Sequence, residues 1–469
     1  MHTPFFLCSS HSSSPRAALT RSPALSASLW LVLGAGSLGC AREGVDLGGD
    51  TLTRDIQRGM RCLESSVVEE NVIVSQQDDL DALAGCEEFR GNLIVRAFAG
   101  ADLTPLGAMR RVEGELALGV PQSWDAIFGF LISDRLDPQR ELIAAGWVQS
   151  LDGVQALEHA GALFLRGLPD ADLTAFESLT SVGGDSAGLG LILQQNRRLH
   201  DLTGLERLAG LPGLVVTLSP ELVSLNGIDP TGLRFVSLYT NPALADLSAL
   251  APITRLDNLV LYEIGARDLS AFAGLRRTAS LALTNNPALV DAGGLGALES
   301  ADTISVSGNT ALEVLPSFAS FTLQPSTIAI RDNPELESVV LDFSNAPTQR
   351  YNIQGFPEQD GDEYVGYELG IDVLDIRNNA KLQSLSVAAG LTKAHLVLAG
   401  DNPSLTRIDL GSLTELGQLS IDNNPGLTQV DTGALVRVSF LQLTDNPLLS
   451  PAVFDDVQTF AREISGNAE

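Results

Sequence analysis

The pentapeptide Gly184-Asp185-Ser186-Ala187-Gly188 has the G-x-S-x-G spacing that can present a nucleophilic serine on a sharp strand-to-helix turn. Here it falls in an over-long connection, 28 residues from Leu168 to Asn196, and reads better as a Gly-rich loop insertion. His159 and His200 flank it, but no acid–base order supports a Ser-His-Asp triad. The chain has five His, two of them among the first 39 residues, which leaves no plausible zinc ligand set. Glu358, Asp360, Asp362 and Glu363, with Tyr364 and Tyr367, form an acidic turn. Hard cations want several carboxylates, so calcium is conceivable there. The spacing matches no EF-hand loop, and a solvated turn is the plainer reading. The chemistry-bearing residues therefore point to no catalytic group and no cofactor, hence to a chain that is not an enzyme.

Composition sets the scale of the fold. Hydrophobic residues make up 44% of the 469, yet only 5% are aromatic, and 44 Gly and 22 Pro punctuate the chain. Small branched side chains without aromatic bulk suit a narrow, repeatedly stacked core. Acidic residues outnumber basic ones 58 to 29, for a formal charge of −29. A surface that negative repels phosphate backbones, so nucleic acid is not an expected partner.

The start of the chain reads as an export signal. Arg16 and Arg21 precede a short apolar run from Leu29, which ends in small residues at Ser37-Leu38-Gly39-Cys40. The run is too short for a membrane span. Small residues before a cysteine resemble a bacterial lipobox, although Ser37 stands where that motif prefers Leu. The expectation is a lipoprotein-type signal peptide over 1–39, with Cys40 lipidated and anchored to the membrane. Ordinary signal cleavage near Ala41 is the alternative. Residues 40–61 read as a tether. Cys62 and Cys86 are then the remaining pair, and in an oxidising compartment they read as a disulfide worth about 3.5 kcal/mol by loop closure. The localisation expected is the bacterial cell envelope, outside the cytoplasm, at the outer membrane or cell surface.

The strongest signal is periodic. LALTNNPAL (Leu281 to Leu289), LSIDNNPGL (Leu419 to Leu427) and LQLTDNPLL (Leu441 to Leu449) share one pattern: an alternating apolar strand, then a polar turn with Asn. The Asn positions are Asn196, Asn241, Asn286, Asn309, Asn333, Asn379, Asn402, Asn424 and Asn446, separated by one or two multiples of 22 to 24 residues. Ser219-Pro220, Ile264 and Phe356-Pro357 fall midway in the double gaps and read as further slots, giving twelve turns in register. A fixed period in this range means stacked supersecondary units, each donating one short strand to a parallel sheet. Alternation sends Leu281 and Leu283 inward and Ala282 and Thr284 outward. The Asn side chains should ladder onto neighbouring backbone, a structural role.

Upstream, VIV (Val72 to Val74), LIV (Leu93 to Val95), LAL (Leu116 to Leu118) and LFL (Leu163 to Leu165) continue the strand pattern, with an irregular, aromatic and partly helical insertion at about 121–147. The regular repeats run over 191–449, after a looser part over 62–190. Beyond them, Ser450-Pro451 reads as the start of a helix, followed by a tail to 469, that would cap the open core.

One set of residues resembles a known family. Cys62, Leu80, Leu83 and Cys86, followed by Gly91-Asn92-Leu93-Ile94-Val95, looks like the opening of a receptor L domain. That is the leucine-rich, right-handed parallel β-helix of insulin-receptor and EGF-receptor ectodomains, also found in bacterial and fungal surface proteins. The frame Leu416, Leu419, Ile421, Asn424 is similar to leucine-rich repeats. The resemblance covers roughly residues 62–449 and implies a mainly β solenoid. The chain departs from it by running well past one L domain, as several fused in one would.

A binding surface is the functional expectation. Tyr239 and Tyr262 occupy the outward position two residues before consecutive slots, and Arg331, Gln354 and Arg377 follow in the same column. A Tyr and Arg stripe on a flat sheet has the make-up of a recognition surface. A protein or glycan ligand is the expected partner. A passive spacer is the alternative, and a carbohydrate-active β-helix enzyme a more distant one.

Overall fold

The computed structural model describes Cys62 and residues 66–120, 146–183, 190–346, 349–350, 368–369 and 371–468. These form a parallel β-solenoid. Nineteen strands make one continuous sheet, and a second sheet of four strands (Ser338–Asp342, Ser384–Ala389, Arg407–Asp409, Gln429–Asp431) closes another side of the later turns. Earlier turns use short 3-10 segments instead, such as Ser248–Leu250 and Ser270–Phe272.

The sheet follows the repeat rung by rung. Strand Phe235–Asn241 pairs with Asn258–Ile264, then with Ser280–Thr284, Thr303–Ser307 and Thr327–Arg331 in turn, all parallel. Equivalent positions stack directly, as in Leu259, Leu281, Ile304 and Ile328. These inward rows merge into one apolar core that runs from Val68 to Val457. Fully burying each such side chain is worth about 1.5–3 kcal/mol, so the stacked Leu, Ile and Val rows supply the driving force. The upstream strands join the same sheet, with Val72 opposite Leu93, Leu93 opposite Leu116, and Leu116 opposite Leu163.

The corner after each strand needs a left-handed residue. Asn285, Asp332, Asn378, Asp401, Asn423 and Asp445 all have φ between 51° and 59°, each immediately before a ladder Asn. Asn and Asp tolerate that conformation because their short polar side chains bond locally. Leu218, Thr240 and Glu263 adopt it as well. For the β-branched Thr240 this is a strained choice; its hydroxyl donates to Glu263 Oε2 at 3.0 Å.

The Asn that follows turns inward and is fully buried at each position from Asn196 to Asn446. Asn309 Nδ2 donates to Leu283 O at 2.9 Å, and its Oδ1 accepts from Asn286 N at 3.0 Å. The same bonds recur through Asn333, Asn379, Asn402, Asn424 and Asn446. Ser219 and Ile264 occupy the rung position in their turns, each giving its backbone N–H to the next Asn, at 3.0 and 3.1 Å.

Two expectations change. The slot expected at Phe356 lies outside the described residues; strand Thr327–Arg331 pairs directly with Ile371–Arg377, and Asn333 N reaches Asn379 Oδ1 at 3.1 Å, so the ladder steps from Asn333 to Asn379. The double spacing is therefore a single step of the ladder. The capping helix after Ser450 is also absent. Ser450 does accept from Ala452 N, at 3.4 Å, but the 3-10 turn ends at Phe454 and strand Gln458–Ser465 follows, parallel to Arg437–Thr444. An open sheet edge offers a ready row of backbone partners, whereas a short isolated helix is marginal. Asn467, the residue a helix reading hid, is a further rung, accepting from Asn446 N at 3.2 Å.

Replacing a mid-ladder amide strands three buried partners, whereas the terminal rung is half-exposed. We expect Asn309→Ala to lower stability by about 2–4 kcal/mol and Asn467→Ala by less than about 1.5 kcal/mol. Urea midpoints of the two variants check this; equal losses would remove the ladder from its central role.

Candidate functional site

The outward face of the long sheet carries three rows of side chains. The row before the corner runs through Thr217, Tyr239, Tyr262, Thr284, Ser307, Arg331 and Arg377, each opposite the next. On past Arg377 it continues to Gly400 and Asp422. The middle row runs through Ser237, Val260, Ala282, Ser305, Ala329 and Asp375. The third includes Ser280, Thr303, Thr327 and Val373.

Tyr239 and Tyr262 lie side by side, with ring centroids 6.0 Å apart and planes tilted by 37°. Both are half-buried. Burial pushes both phenols above their ordinary value, and for Tyr262 a hydrogen bond from Asn285 Nδ2, 3.3 Å from its hydroxyl, works against that shift. Arg331 and Arg377 lie opposite each other on adjacent strands and share one carboxylate. Arg377 Nε and Nη2 donate to the two oxygens of Asp375 at 2.7 Å each, and Arg331 Nη2 bonds the same group. Asp375 is fully buried beneath them, which a lone charge on an exposed face would not be. The Arg331 Nε–H is buried and has no partner among the described residues.

Further along, Asp422 leans over Gly400. A Cβ at that glycine would come within 2.7 Å of the Asp422 carboxylate, so a larger residue there would push that carboxylate aside. Burial is the main cause that raises the Asp422 pKa, with Ser420 donating against it at 3.1 Å.

Gln354 lies outside the described residues; in the described column Arg331 stands directly opposite Arg377. The face is not open throughout. Arg166, Gln194 and Thr217 continue the Tyr row upstream but are buried, as are Phe164 and Ile192 in the middle row. The middle row here is part of a buried apolar cluster of its own, with Ile94, Ala117, Val120, Phe164, Ile192 and Val215. The candidate surface therefore begins at Tyr239.

The other sequence candidates do not assemble with it. Ser186 lies outside the described residues. His159 sits against the Ser181 hydroxyl at 2.7 Å, its pKa lowered chiefly by burial, and His200 faces Glu221 at 3.6 Å. Among the described residues no group of three potential metal ligands comes together; Glu358, Asp360, Asp362 and Glu363 lie outside them. Cys62 and Cys86 form a disulfide, Cα atoms 5.2 Å apart, while Cys40 lies outside the described residues. No described helix is long and apolar enough to cross a membrane.

Sequence reasoning missed Asp375, although it sits two residues before Arg377 where other turns hold Ala282 or Ala329. It also missed a row of acidic turn caps: Asp246, Asp268 and Asp291 each accept the backbone N–H two residues on, at 2.9, 2.9 and 2.6 Å. The recurrent D-L-S/T at Asp172, Asp201, Asp246 and Asp268 was the available signal.

Comparison with known proteins adds the following. No family model matches the chain, and no curated protein matches it. Solved structures do resemble it. An internalin from Listeria monocytogenes is similar at 15% identity, over 84% of this chain and 86% of that one, with a TM-score of 0.28. A leucine-rich repeat protein from Bacteroides ovatus is similar at 11% identity, over 60% and 87%, with a TM-score of 0.15. A chain of a TLR13–ssRNA13 complex is similar at 14% identity, over 85% and 77%, with a TM-score of 0.19. At such identities and scores these likenesses carry nothing about ligand or activity.

A phenol whose pKa is raised on folding is more easily ionised in the unfolded chain. The stability from Tyr239 and Tyr262 is thus fully present below about pH 10 and lost as pH rises through the folded values. We expect Tyr239→Phe with Tyr262→Phe to flatten the alkaline loss of stability, read from urea midpoints between neutral pH and strong alkali. An unaltered slope would place both rings in bulk-like water.

Proposed function

We propose that this chain is a non-enzymatic binding protein of the bacterial cell envelope, exported and held by a lipid at Cys40. It engages a partner through the outward sheet face between Tyr239 and Arg377. The observation that carries the reading is the pairing of two half-exposed tyrosines with a tethered arginine pair on one stiff parallel sheet. Rings and guanidinium groups fixed by their rungs lose little conformational entropy on binding. The resemblance of Cys62 to Val95 to a receptor L domain supports the same reading, since that architecture presents recognition surfaces. The likeness of the later turns to leucine-rich repeats is in keeping with a protein-binding scaffold. The leader supports export: an apolar run followed by small residues and Cys40.

Two experiments test this. A screen of the purified domain against protein and glycan arrays should yield a partner whose affinity falls by about tenfold or more in Tyr239→Ala with Tyr262→Ala. Unchanged affinity would take the site off this face, and a domain that retains nothing on any array would favour a passive spacer. Separately, Cys40→Ser should release the protein from membranes into the soluble fraction. A variant that still partitions into detergent like wild type would end the lipoprotein reading.

A further inference from the structure

At the corner just before the strands of the long sheet, two successive N–H groups share one carbonyl of the preceding turn. Glu158 and His159 donate to Arg110 O at 2.7 and 3.1 Å. Arg276 and Arg277 donate to Thr254 O at 2.8 and 3.3 Å, and Glu299 and Ser300 to Arg276 O at 2.7 and 3.3 Å. Thr254 and Arg255 hold the same position, yet their N–H groups bond no described residue. The turn before them carries the 3-10 segment Pro230–Gly232, whose Thr231 N–H goes to Asp229 Oδ1 at 3.0 Å. The two turns stand apart there. A groove of about 500 Å³ opens between them, lined by Thr231, Gly232, Arg234, Thr254, Arg255 and Asp257 among others.

Equivalent N–H groups point to the preceding turn, so those of Thr254 and Arg255 point into this groove. The Arg255 guanidinium adds further donors. It bonds no described residue and stands opposite Arg277 on the next turn. Arg234 pairs with Asp257 at 2.7 Å, Arg277 reaches Glu299 only at 3.8 Å, and Arg276 donates to Ala297 O at 3.4 Å. The other carboxylate at the groove, Asp229, is held below its ordinary pKa by the Thr231 N–H and hydroxyl, with no arginine contributing. Across these turns four arginines face three carboxylates, in a chain of net charge −29. Arg255, which carries one of the two open N–H groups, has no acid of its own. Successive backbone N–H groups in a concavity form an anion-binding nest. A guanidinium fork beside them matches the oxygens of a phosphate or carboxylate.

We propose that this groove binds one oxyanion group, a phosphate or a carboxylate, carried by a small ligand. Its oxygens accept from the N–H groups of Thr254 and Arg255 and from the Arg255 guanidinium, while Arg234 stays on Asp257. Tyr239 and Tyr262 lie toward the other end of their strands. The groove is therefore a second site, and it does not rest on the face assigned above.

The test titrates the purified protein with inorganic phosphate and with acetate at constant ionic strength, followed through its amide resonances. The Thr254 and Arg255 amides should shift together and saturate with at least one of the two anions, and the tighter anion names the group. Arg255→Gln should weaken that binding by about tenfold or more, and Arg276→Gln on the next turn by less than about threefold. Shifts that grow linearly with either anion overturn the proposal, as does saturation confined to other residues. A Kd unchanged in Arg255→Gln overturns it equally. Tyr239→Ala with Tyr262→Ala should bind the anion as wild type does; loss of binding there would refute a separate site.

Discussion

A buried asparagine amide, repeated once per turn, is the interaction on which the rest of this solenoid depends. Each turn bends its chain sharply after a strand, which leaves backbone N–H and C=O groups pointing into an apolar interior. Unsatisfied, such groups would cost more than the neighbouring Leu contacts return. Asn402 shows the remedy: its Nδ2 reaches Ile376 O at 3.0 Å and Gly400 O at 2.8 Å, while its Oδ1 accepts from Asn379 N at 3.0 Å. Because each amide bonds to the turn before it, the rungs fix one another's register. A slip of one residue would bury Thr284 and expose Leu283, and it would also break every amide bond at once.

That register is what turns a repeating sequence into a face. Outward positions are freed from core packing, and the ladder places them in straight rows about 4.8 Å apart. Most turns fill them with small or hydroxyl-bearing residues, so the few larger side chains stand against a plain background. Asp375 illustrates how the sheet tolerates charge there. Its burial would be unfavourable alone, yet the rungs deliver two guanidinium groups to the same carboxylate from adjacent strands. The result is an arginine pair of fixed geometry, with the carboxylates of Asp401 and Asp422 also acting on Arg377.

The sequence made the period, the strand positions and the inward and outward rows legible, because alternation and Asn spacing follow directly from turn geometry. Three things were hidden, each for a physical reason. The 46-residue gap between Asn333 and Asn379 is arithmetically two turns, but spacing cannot tell a turn from an excursion of the same length. The burial of Arg166, Gln194 and Thr217 was unreadable because alternation reports direction relative to the local core and says nothing about what covers the other side. Asp375 was overlooked because its second partner, Arg331, is 44 residues away in sequence, and that half of the pairing has no local signature. The turn at Ser450 was read as a helix on sound local signals, and lost to the tertiary partner waiting at the sheet edge.

That edge shows how the core is brought to a close without a helix. The inward row that reads Leu374, Val397, Leu419 and Leu441 changes character on the last described strand, where Arg462 stands opposite Leu441. Its Nη2 donates to Phe454 O at 3.0 Å and Val457 O at 3.2 Å, and its Nε to Thr459 Oγ1 at 2.6 Å. The aliphatic stem can lie over the apolar row while the head satisfies carbonyls that a further turn would otherwise cover. A charge pointing inward on an edge strand also makes that edge a poor template for another core rung. One residue therefore changes the surface from core to rim, and Phe460, 80% exposed beside it, belongs to the rim. The same logic governs the whole molecule: backbone satisfaction sets where a turn can stack, and side-chain polarity at one inward position decides whether the next one does.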